Sequence, residues 1–210
     1  MDPEFWLNKW SCNQIGFHEA CVHNLLKNWW PSLGGRTDNN VFVPLCGKSL
    51  DLLWLRERHH SVVGIEISEI AAVSFFEEHD LNFTRAELGS YSIFSSDGIQ
   101  IYCGDIFRIP LYEFPTFDLV YDRASLVALS PPDRIRYENI LTKITGRGSK
   151  MLLITVDYNP KIVSPPPHIL TKTLLNEIYA PNWKIKTLDS QVADVKGTDG
   201  REDCYQIERK

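Results

Sequence analysis

The chain has 210 residues and 43% hydrophobic content, with six tryptophans, which excludes a disordered polypeptide. Its 22 basic and 27 acidic residues leave a formal charge of −5, which argues against a nucleic-acid-binding surface. No apolar run approaches the roughly 20 residues that cross a bilayer, and the acidic start at 1–5 does not resemble a secretory signal. We therefore expect one cytoplasmic domain over residues 1–210, without a membrane span.

Strands and helices alternate along most of the chain. Apolar residues at helical spacing predict amphipathic helices, and short apolar runs between them predict buried strands. Ser68 is expected to cap one of these helices. The helices are predicted around 22–29, 50–54, 69–76, 131–144 and 174–178, and the strands at 41–46, 61–67, 99–103, 117–121 and 150–156.

Four other segments follow a different pattern. The polar stretch 84–98 reads as a connection, and the proline-rich stretch around 165–167 as a stiff loop. The segments 183–187 and 204–208 alternate apolar and polar residues, as half-covered strands do, and no helix separates them. We therefore expect an antiparallel pair at the end of the chain.

This alternation predicts an α/β fold with a doubly wound, mostly parallel sheet and helices on both faces. A ligand of such a sheet binds beyond the carboxyl ends of the strands, near the switch point. The loops that follow Cys46, Ile67, Cys103 and Tyr121 are therefore the candidate site.

The first loop, 44–49, contains a single glycine, Gly47. It lacks the G-x-G-x-x-G fingerprint of a dinucleotide site and the earlier glycine of a P-loop. Without those glycines the backbone cannot form a nest for a diphosphate or triphosphate. An NAD-dependent oxidoreductase and a nucleotide triphosphatase are therefore disfavoured.

The next two loops carry carboxylates. Glu66 lies nineteen positions after Gly47, at the end of the second strand, where a carboxylate can accept hydrogen bonds from ribose hydroxyls. Its alternative is a solvated carboxylate at a strand end. Asp105 and Ile106 follow the third strand and suit the amino edge and the face of an adenine. A helix cap by Asp105 is an equal alternative.

The fourth loop begins with Asp122 and Arg123, and the arginine is expected to face the centre of the site. The alternative is a weak surface pair between these two residues. Together the four loops describe an adenosine site without a diphosphate-binding turn. A ligand with adenosine and no phosphate is S-adenosylmethionine, which is the cofactor that the loops predict.

Cysteines and histidines do not predict a metal centre. The five cysteines are scattered and form no C-x-x-C pair, which is typical of reduced thiols in the cytosol. The segment 18–23 resembles the H-E-x-x-H motif, but its second histidine comes one residue late. The two imidazoles would not share a helix face, so a zinc protease is excluded.

Several motifs, in order from residue 5 to the last strand, resemble the thiopurine S-methyltransferase family and in particular its bacterial-type members. The most diagnostic is Pro-Leu-Cys-Gly-Lys in place of a multi-glycine loop. The segments that carry the resemblance are 5–10, 15–18, 44–48, 63–68 and 122–128.

The resemblance implies a monomeric class I methyltransferase with a seven-stranded, Rossmann-like sheet and residues 1–30 as a lid. It implies that Pro166 borders the acceptor, and it leaves either Lys196 or Arg201 as a basic residue facing the acceptor. The cofactor-binding residues that it implies are Trp10, Leu45, Glu66, Asp105, Ile106 and Arg123, and the aromatic cover over the acceptor would be Trp6 and Phe17.

The expected reaction is methyl transfer to the sulfur of an aromatic or heterocyclic thiol. Arg123 is the candidate catalytic residue, because its charge suits an anionic acceptor. Selenium or tellurium oxyanions and other small thiols are alternative acceptors. A non-catalytic binding domain on the same scaffold is a further alternative.

Overall fold

The computed structural model describes residues 2–59 and 61–210. Within them it forms a sheet of nine strands in the order β3-β4-β5-β2-β1-β6-β7-β9-β8. The strands are β1 Asn40–Val43, β2 Ser61–Glu66, β3 Thr84–Leu88, β4 Tyr91–Ser96, β5 Ile99–Cys103, β6 Phe117–Arg123, β7 Thr145–Tyr158, β8 Trp183–Val195 and β9 Thr198–Arg209. The helices are α1 Pro3–Ser11, α2 Asn24–Trp29, α3 Asp51–Arg56, α4 Glu69–Glu78, α5 Pro131–Ile144 and α6 Lys172–Tyr179.

The five central strands, β5, β2, β1, β6 and β7, run parallel, and antiparallel strands flank them on both sides. This arrangement confirms the predicted doubly wound fold. The antiparallel pairing of β8 with β9 is also confirmed. Ser68 caps α4 as predicted, because its hydroxyl accepts the N–H of Ala71 at 3.4 Å.

Each face of the sheet carries its own apolar layer. Phe42, Val120 and Leu141 belong to one layer, beside α5 and α6. Val41 and Leu119 belong to the other layer, beside α2, α3 and α4. Neighbouring residues of one strand point to opposite faces, so a strand covered on both faces is apolar throughout. That is why the central strands were recognisable as apolar runs.

The expectation that 84–98 is a connection is wrong, and so is the count of seven strands. This stretch forms the hairpin of β3 and β4, and β4 pairs antiparallel with β5. The reason is burial: β3 is an edge strand whose first four residues are exposed, so it needs no apolar pattern. Tyr91 and Phe94 on β4 are buried and attach the hairpin to the sheet.

The last three strands are longer than their apolar segments predict. β7 begins directly after α5, at Thr145, although its apolar run begins at Met151. β8 and β9 continue to a tight turn at Lys196 and Gly197, which both have positive φ. The additional residues are largely polar and pair with each other, so composition alone does not mark them as strand.

No helix among the described residues is long and apolar enough to span a bilayer.

We expect Gly64→Ala to destabilise the fold by about 1–3 kcal/mol, because the core at β2 has no space for a methyl group. A Cβ at Gly64 would lie 2.6 Å from the sulfur of Cys46. Urea unfolding measures the loss. Gly16→Ala is the matched control, since a Cβ there meets nothing within 4 Å. Equal stability of the two variants would contradict this packing argument.

Candidate functional site

A cavity of about 1010 Å³ opens at the carboxyl ends of the central strands. Leu45 after β1, Glu66 at the end of β2 and Arg123 at the end of β6 all line it. The α1 helix and the segment that follows it form one wall, and residues 164–167 and 191–197 form another. The cavity therefore lies where a doubly wound sheet binds its ligand.

The turn after β1 forms the floor under the indole of Trp10. Leu45 and Gly47 both adopt positive φ, at +44° and +53°. A Cβ at Gly47 would lie 3.1 Å from Cζ2 of Trp10. Glycine therefore allows the indole to lie directly against the backbone of this turn. Trp10 itself is only 6% exposed.

Glu66 holds the ends of two loops together. The N–H of Gly47 donates to Oε2 at 2.9 Å, and the N–H of Ser68 donates to Oε1 at 2.8 Å. Burial raises the pKa of Glu66 to about 6, although both amides favour the ionised form. Each oxygen of an ionised carboxylate can accept a second hydrogen bond. Glu66 can therefore still accept a hydrogen bond from a ligand in the cavity.

Asp105 and Ile106 do not line the cavity. The carboxylate of Asp105 accepts the N–H of Phe107 at 2.9 Å, so the helix-cap alternative is the one observed. The side chain of Ile106 is fully buried in the core. Both residues nevertheless follow β5 beside Glu66, since the N–H of Gly104 donates to the Glu66 carbonyl at 2.8 Å.

An aromatic cluster lies over the cavity. Trp6 and Trp10 are one helical turn apart on α1, and both contact Phe17 edge to face, with centroid distances of 5.7 and 5.5 Å. Phe5 packs against Trp6 at 5.1 Å. Both tryptophans therefore share one face of α1, as their spacing predicts.

Arg123 connects β6 to the segment after α1. Its guanidinium donates to the carbonyl of Phe17 at 2.8 Å and forms an ion pair with Glu19. Asp122 is fully buried and instead accepts the hydroxyl of Tyr137 at 2.7 Å. The alternative of an Asp122–Arg123 pair is wrong, because successive residues of a strand face opposite sides.

The structure distinguishes Lys196 from Arg201. Lys196 lines the cavity from the β8–β9 turn, and its ammonium donates to the carbonyl of Ser164 at 3.0 Å. Arg201 does not line the cavity and instead pairs with Asp157 and Asp203 at 3.0 and 3.1 Å. Pro166 lies on the same wall as Lys196. Of the two candidate basic residues, Lys196 is therefore the one that lines the cavity.

Sequence reasoning missed a set of polar residues that also line the cavity. The imidazole of His23 contacts the carboxylate of Glu202 at 3.1 Å. The backbone N–H of His23 donates to the carboxylate of Asp51 at 2.9 Å. Asp51 also accepts the hydroxyl of Tyr121 at 2.9 Å. Glu19 completes the set through its pair with Arg123. Glu19 and His23 stood in the segment that resembles H-E-x-x-H, which was considered only as a metal motif, and Asp51 and Glu202 belong to no motif.

Comparison with known proteins identifies the family. The model of the thiopurine S-methyltransferase family matches residues 1–210. The thiopurine S-methyltransferase of Vibrio atlanticus (strain LGP32) is 41% identical over 194 residues, which cover 92% of this chain and 88% of that protein. The thiopurine S-methyltransferase of Pseudomonas fluorescens (strain Pf0-1) is 39% identical over 197 residues, with 94% and 89% covered.

Solved methyltransferases share the fold. One is the 1,6-didemethyltoxoflavin-N1-methyltransferase of Burkholderia thailandensis with bound S-adenosylhomocysteine, at a TM-score of 0.70 and 12% identity, covering 99% of this chain and 87% of that chain. Another is the magnesium protoporphyrin IX methyltransferase of Synechocystis PCC 6803, also with S-adenosylhomocysteine, at a TM-score of 0.69 and 11% identity, with complete coverage of both chains.

The residues of the cavity fit an adenosyl cofactor without a diphosphate. The carboxylate of Glu66 retains acceptor capacity beside a turn in which a Cβ at Gly47 would lie 3.1 Å from the indole of Trp10. No run of glycines forms a nest for phosphate at that turn. The chain therefore belongs to the thiopurine S-methyltransferase family and is an S-adenosylmethionine-dependent methyltransferase of class I fold.

Proposed function

We propose that this protein methylates the sulfur of aromatic or heterocyclic thiols. The observation that carries the proposal is the combination of an aromatic cover and a guanidinium in one cavity. Trp6 and Phe17 offer ring surfaces to a planar molecule, and Arg123 offers positive charge to a thiolate or ring nitrogen. The curated relatives carry the name thiopurine S-methyltransferase, and thiopurines are heterocyclic thiols.

Our assignment of the cofactor rests on Glu66. Its carboxylate would accept the two ribose hydroxyls, while Trp10 and Leu45 enclose the remainder of the molecule. The adenine would lie beside Asp105, whose side chain is 25% exposed. Ile106 would support that loop from the core beneath it. Arg123 would approach the cofactor and the acceptor together.

The chemistry needs alignment more than proton transfer. When bound, the cofactor supplies a methyl group that its sulfonium already activates. An aromatic thiol provides thiolate near neutral pH, and thiolate is a strong nucleophile. The chain would then hold the two partners in line at about 3–3.5 Å, which lowers the barrier by up to about 7–11 kcal/mol. The indole of Trp10 would exclude water from this contact.

The acceptor would occupy the part of the cavity between Arg123 and the β8–β9 turn. Pro166 presents a rigid apolar edge there, and Lys196 adds a second positive charge. The positive charges of Arg123 and Lys196 on this side of the cavity also suit a small anion. This observation favours selenium or tellurium oxyanions as the second candidate. Small aliphatic thiols lack the planar ring that the aromatic cover would contact.

A methyl-transfer panel with radiolabelled S-adenosylmethionine tests the proposal. The panel contains thiophenols, 6-mercaptopurine, aliphatic thiols, selenite and tellurite. We expect the highest kcat/KM for the aromatic and heterocyclic thiols. Transfer to selenite or tellurite alone would favour the second candidate instead.

We also propose that residues 1–30 form a lid within a single domain, in which the part before α2 moves and α2 anchors it, because Leu25 and Leu26 are buried in the core. We expect the segment 5–17 to exchange its amide hydrogens quickly in the free protein and slowly with S-adenosylhomocysteine bound. Trp10 supports this, since it lies against the Gly47 turn at the candidate cofactor site. Hydrogen exchange measures the change, and α5 serves as the internal control. Equal and strong protection in both states would show that the segment is part of the core.

The elevated pKa of Glu66 predicts that cofactor affinity depends on pH. The carboxylate is ionised above its pKa of about 6, and the ionised form accepts ribose hydroxyls best. Affinity should therefore fall as pH decreases below 6, by up to about tenfold per pH unit. Calorimetry between pH 5 and 8 tests this, with Glu66→Gln as the control that removes the titration. An identical pH profile in the variant would assign the dependence to another group.

A further inference from the structure

The guanidinium that we assign to the acceptor already contacts an anion of the chain itself. Arg123 pairs with the carboxylate of Glu19, and its other terminal nitrogen donates to the carbonyl of Phe17 at 2.8 Å. Both Arg123 and Glu19 line the cavity. The side chain of Arg123 is 17% exposed and that of Glu19 is 37% exposed. The pair therefore lies at the boundary between the cavity and solvent.

The position of Glu19 is explained by Arg123 more than by any other neighbour. The imidazole of His23 is 3.9 Å from the carboxylate of Glu19. His23 contacts Glu202 more closely, at 3.1 Å. Burial raises the pKa of Glu202, but the hydrogen bonds from His23 and Gln191 and the charges of His23 and Arg123 together outweigh burial, so the net effect lowers this pKa. His23 thus already has an anionic partner, and the carboxylate of Glu19 serves to neutralise Arg123.

We infer that Glu19 is a specificity-determining residue, because it occupies Arg123 as an internal anion that an ionised acceptor must displace. This inference rests on the proposed function, in which Arg123 receives a thiolate or another acceptor anion. An acceptor without charge does not compete with Glu19. The carboxylate therefore weakens the binding of ionised acceptors and leaves the binding of neutral acceptors unchanged.

The exchange needs no opening of the aromatic cover. Glu19 is partly exposed, so rotation of its side chain returns the carboxylate to water. Arg123 keeps its bond to the carbonyl of Phe17 during that rotation, and Phe17 stays against Trp6 and Trp10. The released guanidinium then presents free N–H donors to the acceptor. Lys196, Lys9 and Lys48 also line the cavity and would balance the incoming charge.

Glu19→Gln tests the inference, since glutamine keeps the shape and one acceptor oxygen but removes the charge. Glu4→Gln is the matched control, because Glu4 is an exposed carboxylate on α1 that does not line the cavity. Kinetics are measured with aromatic thiols that range from ionised to neutral at the assay pH. Binding of the same thiols to the S-adenosylhomocysteine complex is measured by calorimetry. Hydrogen exchange of residues 5–17 is followed in parallel.

For Glu19→Gln we expect KM and Kd of ionised thiols to fall roughly threefold to tenfold, with no change for neutral thiols. Cofactor affinity and exchange at 5–17 should equal those of the parent and of Glu4→Gln. A uniform effect on all thiols with faster exchange would overturn the inference and make Glu19 an anchor of the lid. Unchanged affinity for ionised thiols would also overturn it. If no thiol is methylated but ionised thiols bind Glu19→Gln more tightly, the proposed function fails, while the competition of Glu19 with an anion for Arg123 is supported independently of catalysis.

Discussion

Replacing Glu66 by glutamine should weaken the binding of S-adenosylmethionine by about tenfold to a hundredfold. Hydrogen bonds to a charged group are worth about 1.5–3 kcal/mol each, and the variant loses the charge that ribose hydroxyls would meet. It also turns an amide N–H₂ toward either Gly47 or Ser68, each of which now donates to a carboxylate oxygen. Calorimetry with S-adenosylmethionine and S-adenosylhomocysteine gives the two dissociation constants.

The effect on the fold should be small, because two changes oppose each other. Glutamine loses one backbone hydrogen bond, but it removes a buried charge whose pKa burial has raised to about 6. Asp122→Asn is the matched control, since Asp122 is another buried carboxylate at a strand end with a pKa of about 6, and it does not line the cavity. Asp122→Asn should keep cofactor affinity. An unchanged dissociation constant in Glu66→Gln would remove Glu66 from the cofactor site.

Replacing Arg123 by alanine should lower kcat/KM about tenfold to a hundredfold for acceptors that are ionised at the assay pH. Those acceptors lose a charge-assisted partner, whereas neutral acceptors do not. All acceptors should also share a smaller loss, because Arg123 holds the carbonyl of Phe17 and the carboxylate of Glu19. The measurement is kcat/KM for aromatic thiols of graded acidity, together with the Kd of the cofactor.

Two further variants separate the contributions of Arg123. Arg123→Lys keeps the charge but cannot form two parallel hydrogen bonds, so it should recover part of the activity toward ionised thiols. Arg201→Ala is the control, since Arg201 is a half-exposed arginine that pairs with Asp157 and does not line the cavity. A constant ratio of kcat/KM across the thiol series, with cofactor binding intact, would leave Arg123 as an anchor of the segment after α1.

The two carboxylates of the candidate cofactor loops, Glu66 and Asp105, differ in how much of their role the sequence predicts. Glu66 could be located from sequence, because it ends an apolar strand at a fixed distance from the Gly47 turn. Its partners could not, because the N–H groups of Gly47 and Ser68 meet only when β1 and β2 pair in register. Asp105 follows the next strand in the same way. The sequence supports an adenine contact and a helix cap equally for Asp105. The structure shows the cap, in which the Asp105 carboxylate accepts the N–H of Phe107.

The sequence by itself determined the class of fold, the predicted cofactor and the candidate loops. Apolar strands covered on both faces are recognisable in any order, and a first loop without multiple glycines disfavours a diphosphate-binding site. The parallel direction of the central strands brings those loops to one edge of the sheet, and that direction is what the alternation of strand and helix predicts.

Only the tertiary structure decided which polar groups meet across the cavity. Glu19 and Arg123 are separated by 104 positions, and His23 and Glu202 by 179. Neither pair has a periodic or local signal, since each depends on where a loop and a sheet edge meet in space. β3 and the extension of β8 and β9 also lack a sequence signal that predicts them. Their residues are polar because edge strands and projecting hairpins remain in water.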